Sequence, residues 1–391
     1  MSRFKVVALT VLSLFALLSV TAIGGAEEPS GIGTERHRVD PSEGAAFAMT
    51  NAVVDNRIVT YRRATNGRLT RVGSISTQGN GIGVDLDTQG GLRLSRDHRF
   101  LYAVNAGSDN VTVFSVNGPN LTFLQKIYAG DQPNSLTIHR DLLYVLDGSV
   151  AGNGILGFRV AANGTLAPLA GSFRLLSSPI AVPGEVQFSP DGKVLLVTHK
   201  TTNELLSPED AIDAFTVRSN GLTSATPRRN ASKGLRPFSL AFRDDGRLVV
   251  AESFNAAPER SAVSSYRLSD EARLKVIDGS VRNRQTDTCW IVITKDGRHV
   301  FTANFGSGTI SSYRFDSDGD LRLTDGNAAF LGAKSQPVDL SLSADSRYLY
   351  LLLRGTGAVA AFRVDDGDLR PLGTVAGGLP VNDGASGLAS F

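Results

Sequence analysis

Disulfide chemistry is the first thing this chain lacks. Its 391 residues hold one cysteine, Cys289, so no internal bridge can form. Stability must come from backbone pairing and packing, which a chain of this length can supply. Metal and nucleotide signatures are missing too. There is no His-Glu-x-x-His, no paired cysteine, no Walker loop and no Gly-x-Ser-x-Gly. Charge of one sign is also absent: 40 basic residues face 38 acidic ones, for a net charge of +2. That balance gives no case for nucleic acid or an anionic membrane surface as partner.

A long apolar run occurs near the N-terminus, at residues 6–23, after Arg3 and Lys5 and before Gly24-Gly25-Ala26. Residues 1–26 therefore read as a secretory signal peptide cut near Ala22 or Ala26, with an uncleaved signal anchor as the alternative. Residues 27–43 read as a polar linker. The expected location is secreted or periplasmic, with no membrane attachment after cleavage. Cys289 stands between Thr288 and Trp290 at the start of an apolar strand and is expected to be buried.

What the chain does contain is a repeat. Asp296–Leu323 opens with a turn, runs through a β-rich stretch, breaks at a Gly/Ser loop, resumes to Tyr313, and turns again at Asp318-Gly319. The marker aromatic recurs at Tyr61, Phe114, Phe158, Phe215, Tyr266, Tyr313 and Phe362. Polar turns follow it, as in Asn66-Gly67-Arg68-Leu69, Asn163-Gly164-Thr165-Leu166 and Asp366-Gly367-Asp368-Leu369. Asn-Gly and Asp-Gly supply the positive φ that tight hairpins need. A second turn lies upstream, seen in Ser189-Pro190-Asp191-Gly192 and Asp245-Gly246-Arg247. Each unit is thus strand A, turn, strand B, loop, strand C, turn, strand D. A period of roughly 45–55 residues is that of a four-stranded propeller blade. The first unit lacks strand A, and Gly384–Ala389 reads as the missing one. The expected fold is all-β: a seven-bladed propeller over residues 44–391, closed by pairing the C-terminal strand with the N-terminal blade.

Strand alternation puts the short A–B and C–D turns on one face and the long B–C loops and D–A links on the other. Binding sites favour the second kind. Where strand A begins or strand B ends, polar residues gather around the expected mouth of the channel. They are Asn51, Asn105, Asp147, Glu185, His199, Lys200, Glu252, Cys289, Trp290, Asn304, Asp339 and Arg354. Four basic residues before blade 5, Arg228, Arg229, Lys233 and Arg236, lie on the same side.

Two apparent motifs mislead. Gly152-Asn153-Gly154-Ile155-Leu156-Gly157 fits a dinucleotide fingerprint, but a strand rather than a helix follows it. Asp316-Ser317-Asp318-Gly319-Asp320 looks like half a calcium loop, but Leu321 and Asn327 stand where Gly and Glu are needed. No cofactor and no metal are expected.

The repeat resembles the seven-bladed lactonase-type propellers, which include propeller 6-phosphogluconolactonases and carboxy-cis,cis-muconate cyclases. Its texture is closest to an exported branch of that family. Val186-Gln187-Phe188-Ser189-Pro190-Asp191-Gly192, Ala262-Val263-Ser264-Ser265-Tyr266-Arg267 and Cys289-Trp290 carry the resemblance, which spans about residues 44–391. Two positions depart from it: Pro133-Asn134 replaces the Pro-His of characterised members, and His199 replaces an acidic residue before Lys200.

The resemblance implies the fold and points to a lactonase, a carboxylic-ester hydrolase, or a muconate cyclase-type enzyme. On that reading, a small carboxylate-bearing lactone is hydrolysed or cycloisomerised without a metal. Glu252 or His199 acts as base, while Arg354 and Lys200 hold the carboxylate and the developing oxyanion. Asn304 and Asn105 orient the substrate, Trp290 floors the pocket, and Asp339 and Glu185 complete its lining. The alternative is a non-catalytic secreted propeller that binds a glycan, a cell-wall component or a protein through the same loops.

Overall fold

A computed structural model describes residues 44–149, 152–200, 210–382 and 384–391. The expected signal peptide and linker lie outside the described residues, as does most of the B–C loop of blade 4.

Seven antiparallel sheets follow one another around a ring, each built in the order A-B-C-D from the centre outward. Blade 6 shows the pattern: Thr288–Ile293, His299–Asn304, Thr309–Phe315 and Leu321–Phe330. The marker aromatics all sit on strand C, and Tyr313 lies opposite Val300 of strand B. In blades 3 and 5 the outer strand is broken, into Leu166–Pro168 plus Arg174–Leu175 and Leu274–Val276 plus Val281–Arg282. The ring closes in blade 1, where Leu388–Ser390 pairs with Gly44–Met49 in the register Ala46↔Ser390, Phe47↔Ala389 and Ala48↔Leu388. The closing strand sits later than the expected Gly384–Ala389, whose first residues are used to tie down a neighbouring loop.

Burial explains why the strands read as they do. Inner strands are covered on both faces by neighbouring blades, so Tyr348–Leu353 is apolar and buried throughout. Outer strands face solvent on one side, and Asn120–Tyr128 alternates exposed and half-buried. Between blades the two sheets form a shared core. Val194, Leu196, Ile212 and Ala214 of blade 4 meet Leu240, Leu248, Val250 and Tyr266 of blade 5.

The short turns do two jobs. In the A–B turn of blade 4, the Ser189 hydroxyl donates to Asp191 at 2.7 Å and accepts from the Val194 amide at 3.0 Å, fixing the corner. The C–D turns dock on the preceding blade. Tyr350 of blade 7 donates its hydroxyl to the Gly67 carbonyl of blade 1 at 2.9 Å, and Tyr102 and Tyr144 do the same to Gly164 and Gly221 of the blades that follow theirs. Gly67 has φ +83°, and a Cβ there would run into the Tyr348 ring. The glycine is therefore required twice, once by the backbone and once by its neighbour. Asp316 caps its own turn, accepting from the amides of Asp318, Gly319 and Asp320, which agrees with a hairpin rather than a calcium loop.

On the opposite face a feature appears that the sequence does not announce. In blades 3 to 7 the A–B register slips just after strand A begins, a recurrent β-bulge. In blades 3, 5, 6 and 7 the residue before that strand is left-handed: Gln132, Arg236, Asp287 and Gln336 have φ between +47° and +59°. Bulge and left-handed turn together re-aim the side chains at this corner.

Candidate functional site

The polar residues at the ends of strand B form a ring of latches. Each grips the link arriving from the preceding blade. Asn105 donates to Asn110 and Thr112 and accepts from Asn56 and Thr77, all within 2.7–3.0 Å. Asn304 mirrors it, donating to Thr309 and Ser311 and accepting from Thr288 and Asn283. Asp147 accepts from the Asp131 amide at 2.9 Å. Asn51 secures the ring closure by donating to the carbonyls of Val84 and Gly384.

Glu252 and His199, expected at the mouth as the base, belong to this ring. Glu252 is fully buried; its carboxylate accepts from Ser264, from Ser280 at 2.8 Å and from the Gly234 amide at 2.9 Å. Burial raises its pKa, and the hydroxyl donors oppose the rise. His199 is buried against Asp213, 3.0 Å from Nε2, and Asp213 also accepts from the Ser177 amide at 2.7 Å. Both side chains point outward into the blade, toward Ser264 and Asp213 on their strands C. Arg228 and Arg229 are likewise placed elsewhere, on the exposed outer strand Arg228–Ala231 of blade 4.

The centre of the ring is plugged. Residues 88 and 89 cross it. Thr88 bonds to the Asn134 carbonyl of blade 3 and accepts from the Trp290 indole of blade 6 at 3.1 Å. The Gln89 side chain pairs with Ile291 like an added strand, with N–H···O bonds of 3.1 and 2.9 Å, and also donates to Glu185. Glu185 is buried, 2.5 Å from the Arg93 guanidinium, and accepts from the Leu240 amide. Asp339 accepts from the Gly387 amide at 2.6 Å. Burial pushes Glu185 up to about 6 and Asp339 up to about 7, with Arg93 opposing both. On the side of the short turns the channel opens as a pit of about 310 Å³, lined by strand A residues such as Leu240, Ile291 and Leu340. Glu185 and Asp339 are thus buried beneath the mouth and do not line the pit.

Above the plug, charged groups from five segments converge. The link between blades 1 and 2 supplies Asp85 and Asp87. Arg354, just past strand B of blade 7, pairs with Asp85 and lies over the Phe305 ring at 4.6 Å. Arg236 reaches Asp87 at 3.2 Å. Lys200 reaches the Asp87 carboxylate at 2.6 Å and also bonds its carbonyl. It stands over the Phe238 ring at 4.4 Å and is only 1% exposed. Lys200 therefore holds Asp87 from behind, whereas Arg236 and Arg354 remain partly open. Burial lowers the Lys200 pKa, and Asp87 opposes that.

Asp287 completes the mouth. The thiol of Cys289 donates to its Oδ1 at 3.3 Å. Burial raises the Asp287 pKa, the thiol bond and Arg236 oppose it, and Asp87 and Asp85 add to it. Asp85 is raised by burial and lowered by Arg354. Cys289 itself is buried and its pKa lies well above the ordinary value, first by burial and then by Asp287. Trp290 lies in the floor, 4.9 Å from Phe238 and 6.3 Å from Phe305 between ring centroids. Of the expected site residues, the mouth brings together Arg354, Lys200 and Trp290. Asp287 was not among them: nothing marks a left-handed aspartate in front of a strand. Asp85, Asp87 and Arg236 stand in segments whose length and charge do mark them. Among the described residues no group of three or more His, Cys, Asp or Glu side chains is arranged to hold a metal ion.

Comparison with solved structures gives the same architecture. A Lactobacillus plantarum protein matches at TM-score 0.69 with 17% identity, covering 89% of this chain and 99% of that one. A provisional 6-phosphogluconolactonase of Bacteroides fragilis matches at 0.67 with 19% identity, covering 90% and 98%. The periplasmic gluconolactonase of Pseudomonas aeruginosa matches at 0.66 with 17% identity, covering 89% and 99%. No curated protein matches. The family model described as "Lactonase, 7-bladed beta-propeller" matches residues 29–182 and 252–337, more than half of the sequence. The chain belongs to the seven-bladed β-propeller lactonase family.

Proposed function

We propose that the protein hydrolyses a small carboxylate-bearing lactone at the link-face mouth, without a metal, as an exported enzyme. The observation that carries this reading is the convergence of Asp287 with two partly open guanidinium groups, Arg236 and Arg354, over an aromatic floor. Family membership and the gluconolactonase neighbours support the reaction class.

Asp287 is the base. One of its oxygens is held by the Cys289 thiol, which leaves the other for a water, and burial raises its pKa. Asp287 takes a proton from that water, and the oxygen attacks the lactone carbonyl carbon. Negative charge on the carbonyl oxygen falls beside the partly open guanidinium of Arg236. The ring C–O bond then breaks, and the proton passes from Asp287 to the departing alkoxide. A hydroxy acid is released. Arg354 anchors the substrate carboxylate, and Lys200 keeps Asp87, and so Arg236, in place.

The test is a panel of sugar, acidic and alkyl lactones followed by titration of released acid, with and without chelator, on protein beginning near Glu27. Turnover unaffected by chelator is expected. Turnover abolished by chelator would overturn metal independence. No turnover across the panel would favour the non-catalytic binder of glycan or protein.

A further inference from the structure

Four valines beside the mouth are exposed without a structural reason. Val53, Val54, Val84 and Val381 are 58%, 87%, 62% and 55% exposed. They come from three segments that touch one another. The Gly83 amide donates to the Asn51 carbonyl, and a Cβ on Gly83 would meet the Val53 side chain. The Gly384 amide donates to the Gly83 carbonyl. A Cβ on Gly357, three residues after Arg354, would meet Val381. The contrast within one link is informative: Ile82 packs against the core of blades 1 and 2, Leu86 is buried in it, and Val84 between them turns out.

The patch borders the Arg354 end of the mouth. Val84 directly precedes Asp85, the partner of Arg354, and the Asn382 amide, next to Val381, donates to the Arg354 carbonyl at 3.1 Å. Contiguous exposed apolar surface marks a binding surface, whereas scattered residues do not. Four valines are far smaller than the roughly 800 Å² per partner of a stable protein interface. They suit a chain of a few carbons.

We propose that the substrate carries an aliphatic arm that lies over Val53, Val84 and Val381 while its lactone and carboxylate occupy the mouth. This rests on the lactonase reading and narrows it to alkyl-substituted lactones rather than bare sugar lactones. Fully buried, each methylene would improve binding about fourfold; lying on an open surface, it should give about twofold.

The experiment is calorimetric binding of butanoate, hexanoate and octanoate to protein beginning near Glu27, alongside turnover of γ-lactones with arms of matching length. Wild type is compared with a Val53→Ser/Val84→Ser double variant, whose substitutions are on the surface and should leave melting unchanged. Affinity rising about twofold per methylene in wild type, with a flat series in the variant, is the expected result. A flat wild-type series, or an equal slope in the variant, would overturn the proposal. A slope without turnover of any lactone would retire the lactonase reading and leave the alkyl site standing. Turnover with a flat series would do the reverse.

Discussion

The strand B ends and the mouth are built from the same kinds of side chain, a few residues apart on the same face. They differ in what is left over. Asn105, Asn304 and Glu252 spend their hydrogen-bonding capacity on links and on strand C. In the mouth, Arg236 keeps an unpaired Nε–H, Asp287 has one oxygen committed to a thiol, and Arg354 pairs with a quarter-exposed aspartate. The lesson is that polarity at a strand end says little until its partners are counted. A satisfied buried carboxylate holds a fold together, whereas an incompletely satisfied one with a raised pKa can do chemistry.

Substitutions can break or sharpen this contrast. Asp287→Asn should cost the most: lactone turnover should fall by about 10²–10³-fold, in the range of a lost general base, with unfolding by denaturant unchanged. Glu252→Ala should show the opposite profile. It strands the hydroxyls of Ser264 and Ser280 and the Gly234 amide, and should cost about 2–3 kcal/mol in denaturant unfolding while turnover per folded molecule changes less than twofold.

The smallest effect belongs to a buried carboxylate beneath the mouth. Asp339 holds its proton more tightly in the fold, at about 7, than at its ordinary 3.8. Its contribution is full below about 4 and is lost as pH rises through about 7. Asp339→Asn keeps an acceptor for the Gly387 amide and cannot ionise. The variant should be more stable than wild type at pH 8, by on the order of 1–2 kcal/mol, with the gap closing toward pH 5 in thermal melts.

Much of the ring was legible in the sequence. The Asn-Gly and Asp-Gly turns, the marker aromatics and the incomplete first unit together implied seven blades and their closure, because each reports a local backbone requirement. The link face was legible too, since long irregular segments stand out against short turns. The side-chain directions on that face were not. Strand periodicity says which residues share a face only while the register is unbroken. The bulge at the start of strand A and the left-handed Arg236 and Asp287 break it at the very corner where the site is proposed. Glu252 and His199 looked free because their partners, Ser280 and Asp213, are distant in sequence and carry no signature of their own.

The most direct test of the account measures lactone hydrolysis by Asp287→Asn and Glu252→Gln side by side with wild type, each checked for folding by near-UV circular dichroism. Asp287→Asn should lose turnover about 10²-fold or more while Glu252→Gln keeps it within about twofold. Loss in Glu252→Gln with full turnover in Asp287→Asn would contradict it and return the chemistry to the ring of strand ends.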